Sequence, residues 1–226
     1  MLMDHIAFVF SKFFQDYSWG FALIFVFRTL GRITAPVMCW FLVQGFVYTS
    51  SRKKYALRLL IFAVVSQVPY ALLRSDVTFF AGLNVIYTLL VSFLMLCVLD
   101  SSLETFPKWV ITIALLALSM FGDWAFFAPL MVLFFYYFRD NRKRLLLFYS
   151  LASVMVVLAD LTILYLNHYY LYQELWQLGM FLFIPLLLLY NGEPGSRHPF
   201  NKWFFYVFYP AHLLVLYVIA RVCIAA

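Results

Sequence analysis

Residues 82–99 read Gly-Leu-Asn-Val-Ile-Tyr-Thr-Leu-Leu-Val-Ser-Phe-Leu-Met-Leu-Cys-Val-Leu, eighteen positions without a charged side chain. As α-helix this stretch rises about 27 Å at 1.5 Å per residue, close to the roughly 30 Å hydrocarbon core of a bilayer. It lacks the period-two alternation of a barrel strand. Working outward, comparable apolar runs lie near 1–16, 28–49, 55–73, 108–122, 124–138, 145–166, 172–190 and 200–222, with the weakest junctions at Gly122–Asp123 and Tyr169–Gln173. Only 12% of residues are charged and 66% are apolar, whereas a soluble domain carries about a quarter charged residues. There is too little polar surface here to face water. The expected fold is all-α: a polytopic integral membrane helical bundle of about nine transmembrane helices (eight to ten), in one domain over 1–226.

Charge placement sets the expected orientation. With nine spans, alternate loops hold Arg52, Lys53 and Lys54, then Lys108, then Arg139, Arg142, Lys143 and Arg144, then Arg197 and Lys202. The opposite loops hold chiefly Arg74, with Asp16, Asp76 and Asp123. Basic loops stay cytoplasmic, so the N-terminus is expected inside and the C-terminus outside. The net charge of +6 then reflects basic loops at an anionic leaflet and calls for no nucleic acid. The opening Met-Leu-Met-Asp-His has neither a basic head nor a small-residue cleavage site. Cys39, Cys97 and Cys223 sit singly in apolar runs, with no metal or disulfide spacing.

Ionisable groups inside spans are costly and are read first as functional. Asp4 and His5 fall in the first span. Arg28 and Arg32 lie one helical turn apart and share a face, with Gly31 allowing close approach of a neighbour. Pro36 cannot donate to the Arg32 carbonyl and is expected to bend the helix there. If the first hairpin turns near Tyr17 to Trp19, His5 and Arg32 are each about thirteen helical positions from it and lie level. His212, in the last span beside Tyr209 and Pro210, is expected in the same slab. A histidine beside a carboxylate suits a general base, and paired arginines suit a polyanion. That combination fits acyl transfer from a coenzyme A thioester. A proton-coupled transporter and plain packing remain alternatives on these residues alone, although no second half mirrors the first as transporter repeats do.

Four blocks carry a resemblance. Met3-Asp-His-Ile6, Arg28-Thr-Leu-Gly-Arg32-Ile-Thr-Ala-Pro36 and Gln44-Gly45-Phe46 with Thr49 form the first. Arg58 to Pro69, with Ser66-Gln67, is the second, and Leu83-Asn84-Val-Ile-Tyr-Thr-Leu the third. Asn201-Lys-Trp203-Phe-Phe-Tyr206-Val-Phe-Tyr209-Pro210-Ala-His212 is the most specific. Together they resemble the TraX family, over the first 90 or so residues and the last 25.

The resemblance implies a bacterial inner-membrane acetyltransferase that moves acetyl from acetyl-CoA to the N-terminal amine of a pilin. It also implies distant kinship to integral-membrane acyltransferases of surface glycans, which pair a first-span histidine with an Arg-x-x-x-Arg motif. On that basis His5, Asp4, His212 and Tyr209 are the expected catalytic residues, and Arg28, Arg32, Arg58 and Asn84 the expected contacts to the acyl donor. Asn84 has a second reading as a helix cap, and Arg58 as a snorkelling cation. A cell-surface glycan is the alternative acceptor, and membrane lipids are the surrounding partner.

Overall fold

The computed structural model describes residues 1–74, 82–168, 171–193 and 199–224, without the side chains of 171–173, 199, 201, 202, 223 and 224. Asp76, Tyr169, Arg197 and His198, and the side chains of Lys202 and Cys223, therefore lie outside the described residues. The helices are α1 Leu2–Val9, α2 Ser11–Gln15, α3 Gly20–Gly31, α4 Thr34–Tyr48, α5 Arg52–Leu73, α6 Val85–Leu99, α7 Thr105–Ser119, α8 Phe127–Phe138, α9 Arg142–Leu166, α10 Phe183–Leu189 and α11 Pro199–Ile224. A 3₁₀ segment, Leu171–Leu182, precedes α10. The described residues form one isolated β-bridge, Leu83 to Gly122. The all-α membrane fold expected from hydropathy is the fold of the chain. Gly20–Tyr48, Arg52–Leu73, Arg142–Leu166 and Trp203–Val222 are long and apolar enough to cross a bilayer, and the other apolar helices are shorter.

Several boundaries differ from the sequence reading. The first run, expected as one span over 1–16, breaks at Phe10 into α1 and α2. The second apolar run starts at Gly20, not residue 28, because Tyr17 to Trp19 turn the chain directly into α3. That run is also divided rather than merely bent. Pro36 leaves the Arg32 carbonyl without its helical donor, and α3 ends at Gly31 while α4 begins at Thr34. The run near 172–190 is not one α-helix, since its first part is 3₁₀.

The surface of α5 shows the membrane signature. Leu57, Leu60, Ile61, Val64, Val68 and Leu72 are exposed, and their three- and four-residue spacing makes one continuous aliphatic face. Ser66 and Gln67 are buried on the other side. A helix that hides its polar groups and shows its aliphatic ones is built for lipid.

The chain forms two compact units, Met1–Val37 with Phe138–Pro194, and Met38–Tyr137 with Gly195–Ala226; the division falls within α4. In the first unit α1 packs on α3, and the 3₁₀ segment packs on both α3 and α9. Gly179 sits against the Thr29 carbonyl so closely that a Cβ would overlap it. In the second unit α5 packs against α6 and α11, and α6 against α7. Its aromatic core crosses Phe46 with Phe93 at 5.5 Å and Trp40 with Phe135 at 5.5 Å, both edge-on. One end of this unit is pinned by Arg52, which pairs with Asp100 at 2.7 Å and lies over the Phe46 ring at 4.2 Å.

Candidate functional site

The first unit concentrates charge between α1, α3, α9 and the 3₁₀ segment. Arg32 donates from Nη2 to Asp4 Oδ1 at 2.7 Å, with the side chains only 14% and 22% exposed. Gly31 makes room for this contact, because a Cβ there would collide with the Asp4 side chain. His5 is half-buried on the same helix as Asp4. Adjacent residues on a helix point in different directions, and the Asp4 carboxylate turns to Arg32. Arg32 thus meets Asp4, the neighbour of His5 in the sequence.

Arg28 lies over the Trp176 ring at 4.9 Å and the Phe8 ring at 5.9 Å, close enough for cation–π attraction. The 3₁₀ segment explains how one short stretch meets two helices. Residues three apart eclipse in 3₁₀ geometry. Trp176 and Gly179 therefore form one edge, facing Arg28 and Thr29 of α3. Glu174 and Gln177 form another, and Gln177 Nε2 donates to Asp160 Oδ2 of α9 at 2.7 Å and to Glu174 Oε2 at 3.5 Å. Asp160 and Glu174 both feel the charge of Arg32, and Glu174 that of Arg28 as well.

Three carboxylates thus surround the two arginines, where sequence reasoning had supplied Asp4 alone. Asp160 and Glu174 were missed although a signal existed. Asp160 is the sole charge between residues 145 and 173, and a lone intramembrane acid asks for a partner.

The second unit holds the remaining candidates. His212 is 5% exposed and Tyr209 2%. The His212 Nδ1 lies 2.8 Å from the Phe208 carbonyl, which fits an Nδ1–H donor and leaves Nε2 as the basic nitrogen. Its ring stacks on Phe208 at 4.9 Å and meets Tyr209 edge-on at 5.6 Å. Arg58 lies over the Tyr55 ring at 5.2 Å, and Tyr206 lies within electrostatic reach of both. Among the described residues no carboxylate pairs with Arg58, and its Nε is buried without a hydrogen-bond partner.

Asn84 is 1% exposed and caps α6, its Oδ1 accepting from the Ile86 and Tyr87 amides at 3.1 and 3.4 Å. Its Nδ2 donates to the Ala63 carbonyl at 2.7 Å and to Gln67 Oε1 at 2.8 Å, and its backbone amide donates to the same Gln67 oxygen at 3.1 Å. The Asn84 amide is occupied within the protein, and the capping role is the one the structure displays. Gln67 closes the ring by donating to the Gly82 carbonyl at 3.0 Å, so Gln67 and Asn84, from two of the sequence blocks, meet in one lock.

The family model described as "TraX protein" matches residues 1–220. The chain belongs to the TraX family. It is 31% identical over 225 residues, 96% of this chain and 89% of the relative, to a protein of Dichelobacter nodosus described as "Probable fimbrial assembly protein FimC, serogroup H1". No solved structure matches. The TraX blocks fall on the polar network of the first unit and on the Gln67–Asn84 lock and α11 of the second.

Proposed function

We propose that this TraX protein is an acetyltransferase of the bacterial inner membrane, its N-terminus cytoplasmic, that moves acetyl from acetyl-CoA to an amine such as the amino terminus of a pilin. The observation that carries this reading is the Asp4–Arg32 pair beside His5, held inside an apolar hairpin. A pair of this kind costs desolvation energy that packing alone has no reason to accept. Family membership and the fimbrial assembly relative support a pilin-directed role.

In this reading the acceptor nitrogen attacks the acetyl carbonyl carbon, a C–N bond forms, and the C–S bond of the thioester breaks. His5 takes the acceptor proton, and the departing thiolate leaves as coenzyme A once protonated. Asp4 fixes Arg32 and so shapes the electrostatics around the base. Arg32 and Arg28 already face carboxylates, so their part is to organise the His5 region. Arg58, which pairs with no carboxylate among the described residues, takes a donor phosphate from the end of the second unit that carries Arg52, Lys53 and Lys54. Within the second unit, His212 Nε2 is the nitrogen able to accept a proton.

The test is donor binding. A ligand that binds only the folded state raises its melting temperature in a concentration-dependent way. Purified protein in lipid nanodiscs should melt higher with coenzyme A than with pantetheine, which lacks the nucleotide phosphates. No shift at millimolar coenzyme A would remove the donor and with it the reading.

A further inference from the structure

The 3₁₀ segment Leu171–Leu182 runs for 12 residues. Runs beyond about three or four are uncommon, because the hydrogen-bond geometry is poorer than in an α-helix. Each edge of this one has its own neighbour. Glu174, Gln177 and Met180 face α9, where Gln177 meets Asp160 and the Met180 carbonyl accepts from the Tyr149 hydroxyl at 2.7 Å. Trp176 and Gly179 face Arg28 and Thr29 of α3. Leu175 and Leu178 are exposed on the third edge, the side that suits lipid.

An α-helix could not keep this arrangement. At about 100° per residue, Met180 would turn roughly 120° away from Glu174, and one of the two would leave α9. The contacts along these edges, rather than backbone preference, therefore hold the 3₁₀ form. The junction with α10 lets the segment rewind by itself. Pro185 lies in the first turn of α10, where a helix tolerates it, and it cannot bond back to the Phe181 carbonyl as a continuous helix would require. Rewinding the segment as α would shorten it from about 24 Å to about 18 Å and break its register with α3 and α9 together.

What the segment covers gives the rewinding a purpose. Arg28 rests against both the Trp176 and the Phe8 rings, and Phe8 stands one turn from His5 on the same face of α1. We propose that Leu171–Leu182 is a gate on the first unit's charged site, and that it opens by passing from 3₁₀ to α-helix. In the 3₁₀ form Trp176 covers Arg28, and Gln177 ties the segment to Asp160. In the α form those contacts part, and the Arg28 flank beside the His5 face of α1 opens to a substrate. Such an element shifts toward whichever form a ligand binds better. The gate rests on the acetyl-transfer reading for its purpose but not for its test.

The test is a spin-label distance within the segment, measured on full-length protein in nanodiscs with Cys39, Cys97 and Cys223 replaced by alanine. The labels go on Leu175→Cys and Leu182→Cys, both exposed positions. In 3₁₀ geometry these sites stand about 14 Å apart along the axis and on different edges. As α-helix they come to about 10–11 Å on nearly one edge. The longer distance should dominate, with the shorter one as a minor population. Trp176→Leu should raise the ratio of short to long by about two- to fivefold, the worth of one cation–π contact. Gly179→Ala adds a Cβ that overlaps the Thr29 carbonyl only in the seated form, and should raise the ratio by about tenfold or more. If Gly179→Ala does not fold, Trp176→Leu decides. The same single distance before and after both substitutions overturns the proposal, and so does a short distance alone in the parent protein. A broad, featureless distribution in the variants also overturns it, since the segment would then unwind rather than rewind. Two exchanging distances without acetyl transfer would leave the gate standing and sink the transferase reading. Transfer by a protein whose distance never changes would do the reverse.

Discussion

Arg32 meets Asp4 at 2.7 Å across the first helical hairpin, and Asp160 and Glu174 come within its field from α9 and the 3₁₀ segment. The arrangement is asymmetric, with one guanidinium serving several carboxylates. Asp4→Asn leaves Arg32 with acidic neighbours, whereas Arg32→Met leaves mutually repelling acids in an apolar setting. Breaking a buried pair by removing one partner costs about 3–5 kcal/mol. Arg32→Met should fall in that range and Asp4→Asn well below it, read as melting temperatures in nanodiscs. Adding Asp4→Leu to Arg32→Met should recover part of the loss. Equal destabilisation by the two single variants would show that the three acids do not share the arginine.

The packing of the 3₁₀ segment on α3 depends on Gly179. Its absent side chain admits the Thr29 carbonyl, and that carbonyl cannot rotate away as a side chain would. Gly179→Ala should destabilise by about 1–3 kcal/mol through overpacking, although alanine is the better helix former. A neutral or stabilising result would mean that the segment does not seat on α3.

Asn84 tests cap against ligand. Asn84→Ala removes the cap of α6 and strands the Ala63 carbonyl and Gln67 Oε1 in the interior, a loss of about 2–4 kcal/mol. Asn84→Asp keeps the acceptor for Ile86 and Tyr87 but sets a buried carboxylate oxygen against the Ala63 and Gln67 oxygens, so it should be at least as damaging, with donor affinity per folded molecule unchanged. A fall in coenzyme A affinity in folded Asn84→Asp would return the residue to the donor site.

Arg58 separates donor binding from snorkelling. Arg58→Ala should weaken coenzyme A by about tenfold or more, the scale of one charge-assisted hydrogen bond, while Arg52→Ala, whose partner is Asp100, should change it little. Equal affinities for wild type and Arg58→Ala would make Arg58 a structural cation resting on Tyr55.

The register of the first hairpin was legible because antiparallel helices share one rise per residue. A turn near residue 18 puts residues 4 and 32 at one depth, and those residues pair. The apolar runs were legible for the same reason that lipid faces are, as the stripe on α5 illustrates. What hydropathy does not encode is which span packs on which. Asp160 and Glu174 therefore stood as isolated acids until α9 and the 3₁₀ segment came together beside Arg32. The left-handed backbone at Trp124 and Ala125 was hidden because no glycine marks it; it is imposed by the Leu83 bridge and by Thr88, which donates to the Asp123 carbonyl. Gly20 as the start of α3 was hidden by the aromatic run before it, which reads as one apolar stretch through the turn.

The most direct test of the central claim is acetyl transfer itself, with and without His5. Wild-type protein in nanodiscs, given acetyl-CoA and a peptide with the host pilin's mature amino terminus, should yield peptide heavier by one acetyl group at the α-amine, read by mass spectrometry. His5→Ala should bind coenzyme A as the wild type does but transfer about a hundred- to ten-thousand-fold more slowly, the usual contribution of a general base. A His5→Ala protein that retains more than about a tenth of the wild-type rate, when a base should be worth far more than that, would contradict the account.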